Sequence, residues 1–151
     1  MVHTFLGKGI PIIDLCALNL SPYDYSYSNA ADDFLSLIHR VVSHDPLVFA
    51  TPVYWYTMSS WMKIFWDRIT DLLYHHKDLV QQLKGKRALL FVVSAGGKPQ
   101  EFEAPLIKTF NYLGMVYKGC WDTVYPTGRH SIHNDKERES FLEQWTKILS
   151  V

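Results

Sequence analysis

Three aromatic residues stand side by side at Tyr54, Trp55 and Tyr56, directly after Pro52 and Val53. A solvent loop gains nothing for its own folding from such a run. The run suits two jobs: stacking against a flat aromatic ligand, or burying surface between subunits. On these residues alone both stay open. A second segment of interest is Ser94-Ala95-Gly96-Gly97-Lys98-Pro99. Its small residues would let backbone amides approach a ligand closely, although an ordinary tight turn explains the composition more simply. His130 and His133 have a spacing that can bind metal, but solvated histidines on a loop are the simpler account. Lys98 and Arg129 read first as surface charges, with a ligand's phosphate as the alternative partner. Neither Cys16 nor Cys120 belongs to a zinc-finger pattern, and both read as packing residues in or beside apolar strands.

The elements that would position these residues follow from hydrophobic spacing. Short apolar runs at Ile10–Leu15, Leu47–Thr51, Ala88–Val93 and Tyr117–Val124 read as strands. Between them, apolar residues recur at helical spacing over 30–43, 58–73 and 102–113, and again over 136–149. Asp32 and Asp33 are expected in the first turn of the first helix, Thr57 or Ser59 as the cap of the second, and Gly114 as the stop of the third. Pro52–Thr57 is expected to be a loop. The alternation predicts an α/β fold with an open, doubly wound parallel sheet of four strands. In such sheets ligands bind outside the carboxyl ends of the strands, which directs attention to the loops after Leu15, Thr51, Ser94 and Val124.

Composition narrows the function. The chain has 151 residues, 48% of them hydrophobic and 20% charged, which predicts one packed domain over 1–151 rather than disorder. Lys plus Arg and Asp plus Glu number 15 each, so the basic excess needed for nucleic acid or an anionic membrane is missing. No apolar run approaches the ~20 residues of a membrane span, and no secretory signal opens the chain. Two cysteines without a disulfide framework suggest a cytoplasmic protein. No Gly-x-Ser-x-Gly elbow is present, which lowers a hydrolase reading.

One stretch carries a specific resemblance. Phe49-Ala50-Thr51-Pro52-Val53-Tyr54-Trp55-Tyr56-Thr57-Met58-Ser59, followed by Met62-Lys63-Ile64-Phe65-Trp66-Asp67-Arg68, resembles the NAD(P)H-dependent FMN reductases of the flavodoxin-like fold. Leu90–Gly97 and the order of elements agree more loosely. The resemblance implies noncovalent FMN, NAD(P)H as co-substrate, a small-molecule acceptor such as a quinone or free flavin, and a homodimer or tetramer. It assigns Pro52, Val53, Tyr54 and Trp55 to one side of the isoalloxazine, and Ser94, Ala95, Gly96 and Gly97 to the other. The flavin would carry the redox chemistry, so no catalytic acid or base is expected from a side chain.

The same resemblance implies that the family's usual first strand, with its phosphate-binding loop, is missing, and that Ile10–Leu15 corresponds to the second strand. No GxGxxG or P-loop pattern occurs in the sequence. Charge-assisted hydrogen bonds are worth about 1.5–3 kcal/mol each, so the expectation is weak FMN binding, or none, by the chain as given. A flavin-free, non-catalytic oligomer is the competing function. An incomplete gene product that begins upstream of Met1 is the third reading.

Overall fold

The protein is described by a computed structural model over residues 11–124, together with Glu139, Glu143 and Thr146, which are helical. The expected helix at 136–149 otherwise lies outside the described residues, as do Arg129, His130 and His133.

Within 11–124 the regular elements are α1 (Phe34–Val42), β1 (Leu47–Tyr54), β2 (Thr57–Met58), α2 (Ser60–His75), α3 (Lys77–Leu83), β3 (Arg87–Ser94), α4 (Ala104–Tyr112) and β4 (Val116–Val124). The sheet order is β2-β1-β3-β4. β1, β3 and β4 run parallel, while β2 is a two-residue antiparallel return onto β1 at Val53 and Tyr54. The fold is therefore an open α/β sheet of four strands, mostly parallel, but one of its strands is not among those expected.

Ile10–Leu15 does not supply a strand within the described residues. Residues 11–14 are irregular, and Leu15–Ala17 form a single 3-10 turn. Local chemistry explains the change. Pro11 has no N–H to give a ladder. The Asp14 carboxylate accepts the Cys16 N–H at 2.9 Å, which turns the chain. The fourth strand is instead β2, inside the segment expected to be a loop.

α1 starts at Phe34, four residues later than expected, so Asp32 and Asp33 lie before its first turn rather than in it. Asp33 accepts the Asn19 N–H at 2.8 Å. Asp32 accepts the Ser21 and Phe34 N–H groups, each at 2.9 Å, and meets Arg68 from α2 at 2.5 Å. The Arg68 guanidinium also pairs with Asp71, donates to the Ser21 carbonyl at 2.9 Å, and lies over the Phe34 ring. Only about 2% of the Arg68 side chain is exposed. Burial alone would push the Asp32 carboxyl up, but the Arg68 hydrogen bonds and the two backbone N–H groups outweigh it and hold Asp32 below its ordinary value.

The main core lies on one face of the sheet. Leu47 and Phe49 of β1 and Ala88, Leu90 and Val92 of β3 pack against Ile38 of α1, Phe65 and Leu72 of α2, Leu83 of α3 and Phe110 of α4. The alternate residues Val48, Ala50 and Val93 join Ile12, Phe91 and Trp121 in a smaller cluster on the other face. The period of two arises because successive residues of a strand point to opposite faces of the sheet. Gly114, with φ of 70°, closes α4 as its position suggests.

Candidate functional site at the carboxyl edge of the sheet

β1 and β3 pair in register from Leu47↔Ala88 to Pro52↔Val93, so their carboxyl ends lie side by side. β4 ends at the same level, with Ser94 opposite Val124. The two segments singled out by residue type therefore leave neighbouring strands at one edge of the sheet.

The first segment is a hairpin rather than a loop. Val53 pairs with Met58 and Tyr54 with Thr57, leaving Trp55 and Tyr56 as a two-residue turn. Both have positive φ, 48° and 68°, the signature of a type I′ turn. Such turns favour Asn-Gly, because a Cβ in the left-handed region is crowded. Here two aromatics occupy it. Tyr54, Trp55 and Tyr56 are 62%, 91% and 78% exposed, although each could bury a large apolar surface.

The hairpin base is tied down from beneath. Thr51 is buried, and its Oγ1 accepts the Ser59 N–H at 3.1 Å. The Ser59 hydroxyl in turn accepts the Met62 N–H at 3.4 Å, which makes Ser59 the expected cap of α2. Thr51 and Ser59 thus join the end of β1, both arms of the hairpin and the start of α2. Sequence spacing gave Ser59 as a cap but held no sign of its contact with Thr51.

The second segment begins at Ser94, whose side chain is buried and whose Oγ has no hydrogen-bond partner among the described residues. A hydroxyl left so is costly, and it sits where the chain turns outward from the sheet. Ala95 and Gly96 are exposed. A Cβ placed on Gly96 or Gly97 would meet nothing within 4 Å, so packing does not demand glycine at either position. Gly97 has φ of 95°, which does. The surface at these residues is open to the close approach of a ligand.

Lys98 is not the surface charge its position suggested. Its Nζ lies 2.5 Å from Glu103 Oε1, and only 16% of the side chain is exposed. The Tyr117 hydroxyl, from β4, donates to the other oxygen of the same carboxylate. Burial alone would raise Glu103, but its bonds to Lys98 and Tyr117 hold it below the ordinary range. Glu103 in turn raises Lys98, against a burial effect in the opposite direction, and both burial and Glu103 raise Tyr117. Cys120 packs against the core, and burial pushes its thiol up to about 12, in keeping with a packing role. Cys16, by contrast, is exposed. Among the described residues no group of three or more His, Cys, Asp or Glu is arranged to hold a metal, and no helix is long and apolar enough to cross a membrane.

A profile of the family described as Flavodoxin-like fold matches residues 3–149, nearly the whole chain. This chain belongs to that family. The flavodoxin-like assignment is supported by a Bacillus subtilis (strain 168) protein named as an NAD(P)H-dependent FMN-containing oxidoreductase, YwqN, which is 38% identical over 95 residues. That match covers 58% of this chain and 51% of YwqN. An iron-sulfur flavoprotein of Archaeoglobus fulgidus is 36% identical over 89 residues, covering 58% of this chain and 38% of that protein. The chain thus spans about half or less of the curated relatives it matches. Among solved structures, the Trp repressor binding protein of Bacillus subtilis superposes with a TM-score of 0.62 at 28% identity, over 75% of this chain and 72% of that one. These flavodoxin-like relatives bear out the resemblance carried by Phe49–Arg68.

Proposed function

We propose that this chain holds FMN and acts as an NAD(P)H-dependent oxidoreductase that passes hydride to a small acceptor such as a quinone. The observation that carries the reading is the shared edge of β1 and β3. One strand leads to three exposed aromatics on a hairpin, and the other ends at a buried hydroxyl with no partner among the described residues. A flat, partly polar ring laid across that edge would use both. The name of the 38% identical relative gives the same chemistry.

In this reading Pro52 and Val53 offer main chain along the ring, and Tyr54 and Trp55 offer aromatic faces. Ser94 offers its hydroxyl, while Ala95, Gly96 and Gly97 offer backbone amides from the other side. FMN, when bound, supplies the hydride acceptor and donor. The chain's residues bind the ring, orient it and exclude water from it.

The test is a titration of purified protein with FMN and with riboflavin, followed by flavin fluorescence and the visible spectrum. Quenching and a shifted flavin band are expected, with Trp55→Ala weakening both. NADH or NADPH oxidation with a quinone then reads the activity. An unchanged flavin spectrum at saturating protein would refute the assignment.

A second reading has its own observation. Trp55 at 91% exposed is a large apolar group in water, and Trp and Tyr are enriched at subunit interfaces. A homodimer or tetramer that buries the hairpin without any flavin is the alternative. It predicts an oligomer that Trp55→Ala dissociates in light scattering, with no flavin taken up.

A further inference from the structure

The wall formed by Ala95, Gly96 and Gly97 has few contacts of its own. Two of its three residues are exposed, and its two glycines leave the backbone free to move. A loop of this kind would pay a large ordering cost on binding any ligand unless something held it in place beforehand. The cluster that follows it in the chain is built to do so.

Ser94, the last residue of β3, anchors one end of the wall. At the other end, Lys98 is tied to Glu103 at 2.5 Å. Glu103 is held on its second oxygen by the hydroxyl of Tyr117. The Tyr117 ring is itself fixed by stacking on Phe110, with centroids 5.7 Å apart and planes 20° apart. Between Lys98 and Glu103 the chain is pinned again. Phe102 is buried, and its N–H donates to the Pro99 carbonyl at 3.1 Å. One carboxylate thus joins the ligand-side loop to the rigid sheet, and only three residues separate its lysine partner from β3.

We infer that Lys98, Glu103 and Tyr117 form a positioning clamp that fixes the Ala95–Gly97 backbone as the second wall of the ligand site. None of the three needs to touch the ligand; they act through the loop. The inference rests on the flavin reading given above.

Glu103→Gln and Tyr117→Phe remove one charge and one hydroxyl, respectively, with little change of shape. Two measurements read each variant. Backbone order parameters of Ala95, Gly96 and Gly97 in the ligand-free protein are expected to fall from near the rigid value of about 0.85 toward 0.6, with β3 and β4 unchanged. FMN affinity is expected to fall about tenfold while the protein stays folded. Lys98→Ala should behave like Glu103→Gln, and Lys98→Arg should restore both readouts. Unchanged order parameters at Gly96 and Gly97 in a folded Glu103→Gln or Tyr117→Phe protein would overturn the clamp. FMN that fails to bind the unsubstituted chain would instead overturn the reading beneath it, and the ligand-free order parameters tell the two failures apart.

Discussion

Arg68 and Trp55 behave as opposites at the residue scale. Arg68 is a charge almost wholly withdrawn from water, held by Asp32 and Asp71. Removing one member of a buried pair strands the other, so Arg68→Leu should lower the unfolding free energy by about 3–5 kcal/mol, read from urea denaturation. Trp55 is an apolar group left in water, and Trp55→Ala should change stability by less than about 0.5 kcal/mol while weakening flavin binding. Acid exposes the same contrast. Asp32 and Glu103 are both held below their ordinary values. Their contribution is complete above the unfolded carboxylate range and is lost as pH falls through the folded values. The urea midpoint should therefore decline below about pH 4, and Asp32→Asn should show a shallower acid decline from a lower starting point. Lys98 is shifted upward, so its contribution persists through neutral pH and is lost only as pH rises past its folded value.

Elements show what a sequence reveals and what it hides. β1, β3, β4, α1, α2 and α4 were legible because their apolar residues repeat with the period of the element that buries them. α3 was not, since Lys77, Asp78, Gln81 and Gln82 leave too narrow an apolar stripe in seven residues. β2 could not be read either. Two residues have no periodicity, and Thr57 and Met58 form a strand only because Tyr54 and Val53 lie opposite them. The site divides along the same line. Tyr54–Tyr56 and Ser94–Gly97 drew attention by composition, whereas the supports under them, Thr51–Ser59 and Glu103–Tyr117, are contacts between residues 8 and 14 positions apart. Thr51→Val tests the first support. It removes the acceptor for the Ser59 N–H beneath a buried strand end, and should cost about 1–3 kcal/mol in chemical denaturation.

For the whole molecule, the parallel strands gather the candidate residues at one edge while the core lies well behind them. Stability and ligand contact are thus lodged in different places, and most of the tests above separate them. The Trp55–Tyr56 turn is where the two meet. A left-handed backbone costs a residue with a side chain roughly 1–2 kcal/mol, and this turn holds two such residues in succession. A library varied at 55 and 56 and selected for heat resistance without ligand should converge on Asn-Gly. The same library selected for flavin capture should return to the aromatics. Sequencing the two pools would show whether the molecule has traded thermal endurance for its grip on a ring.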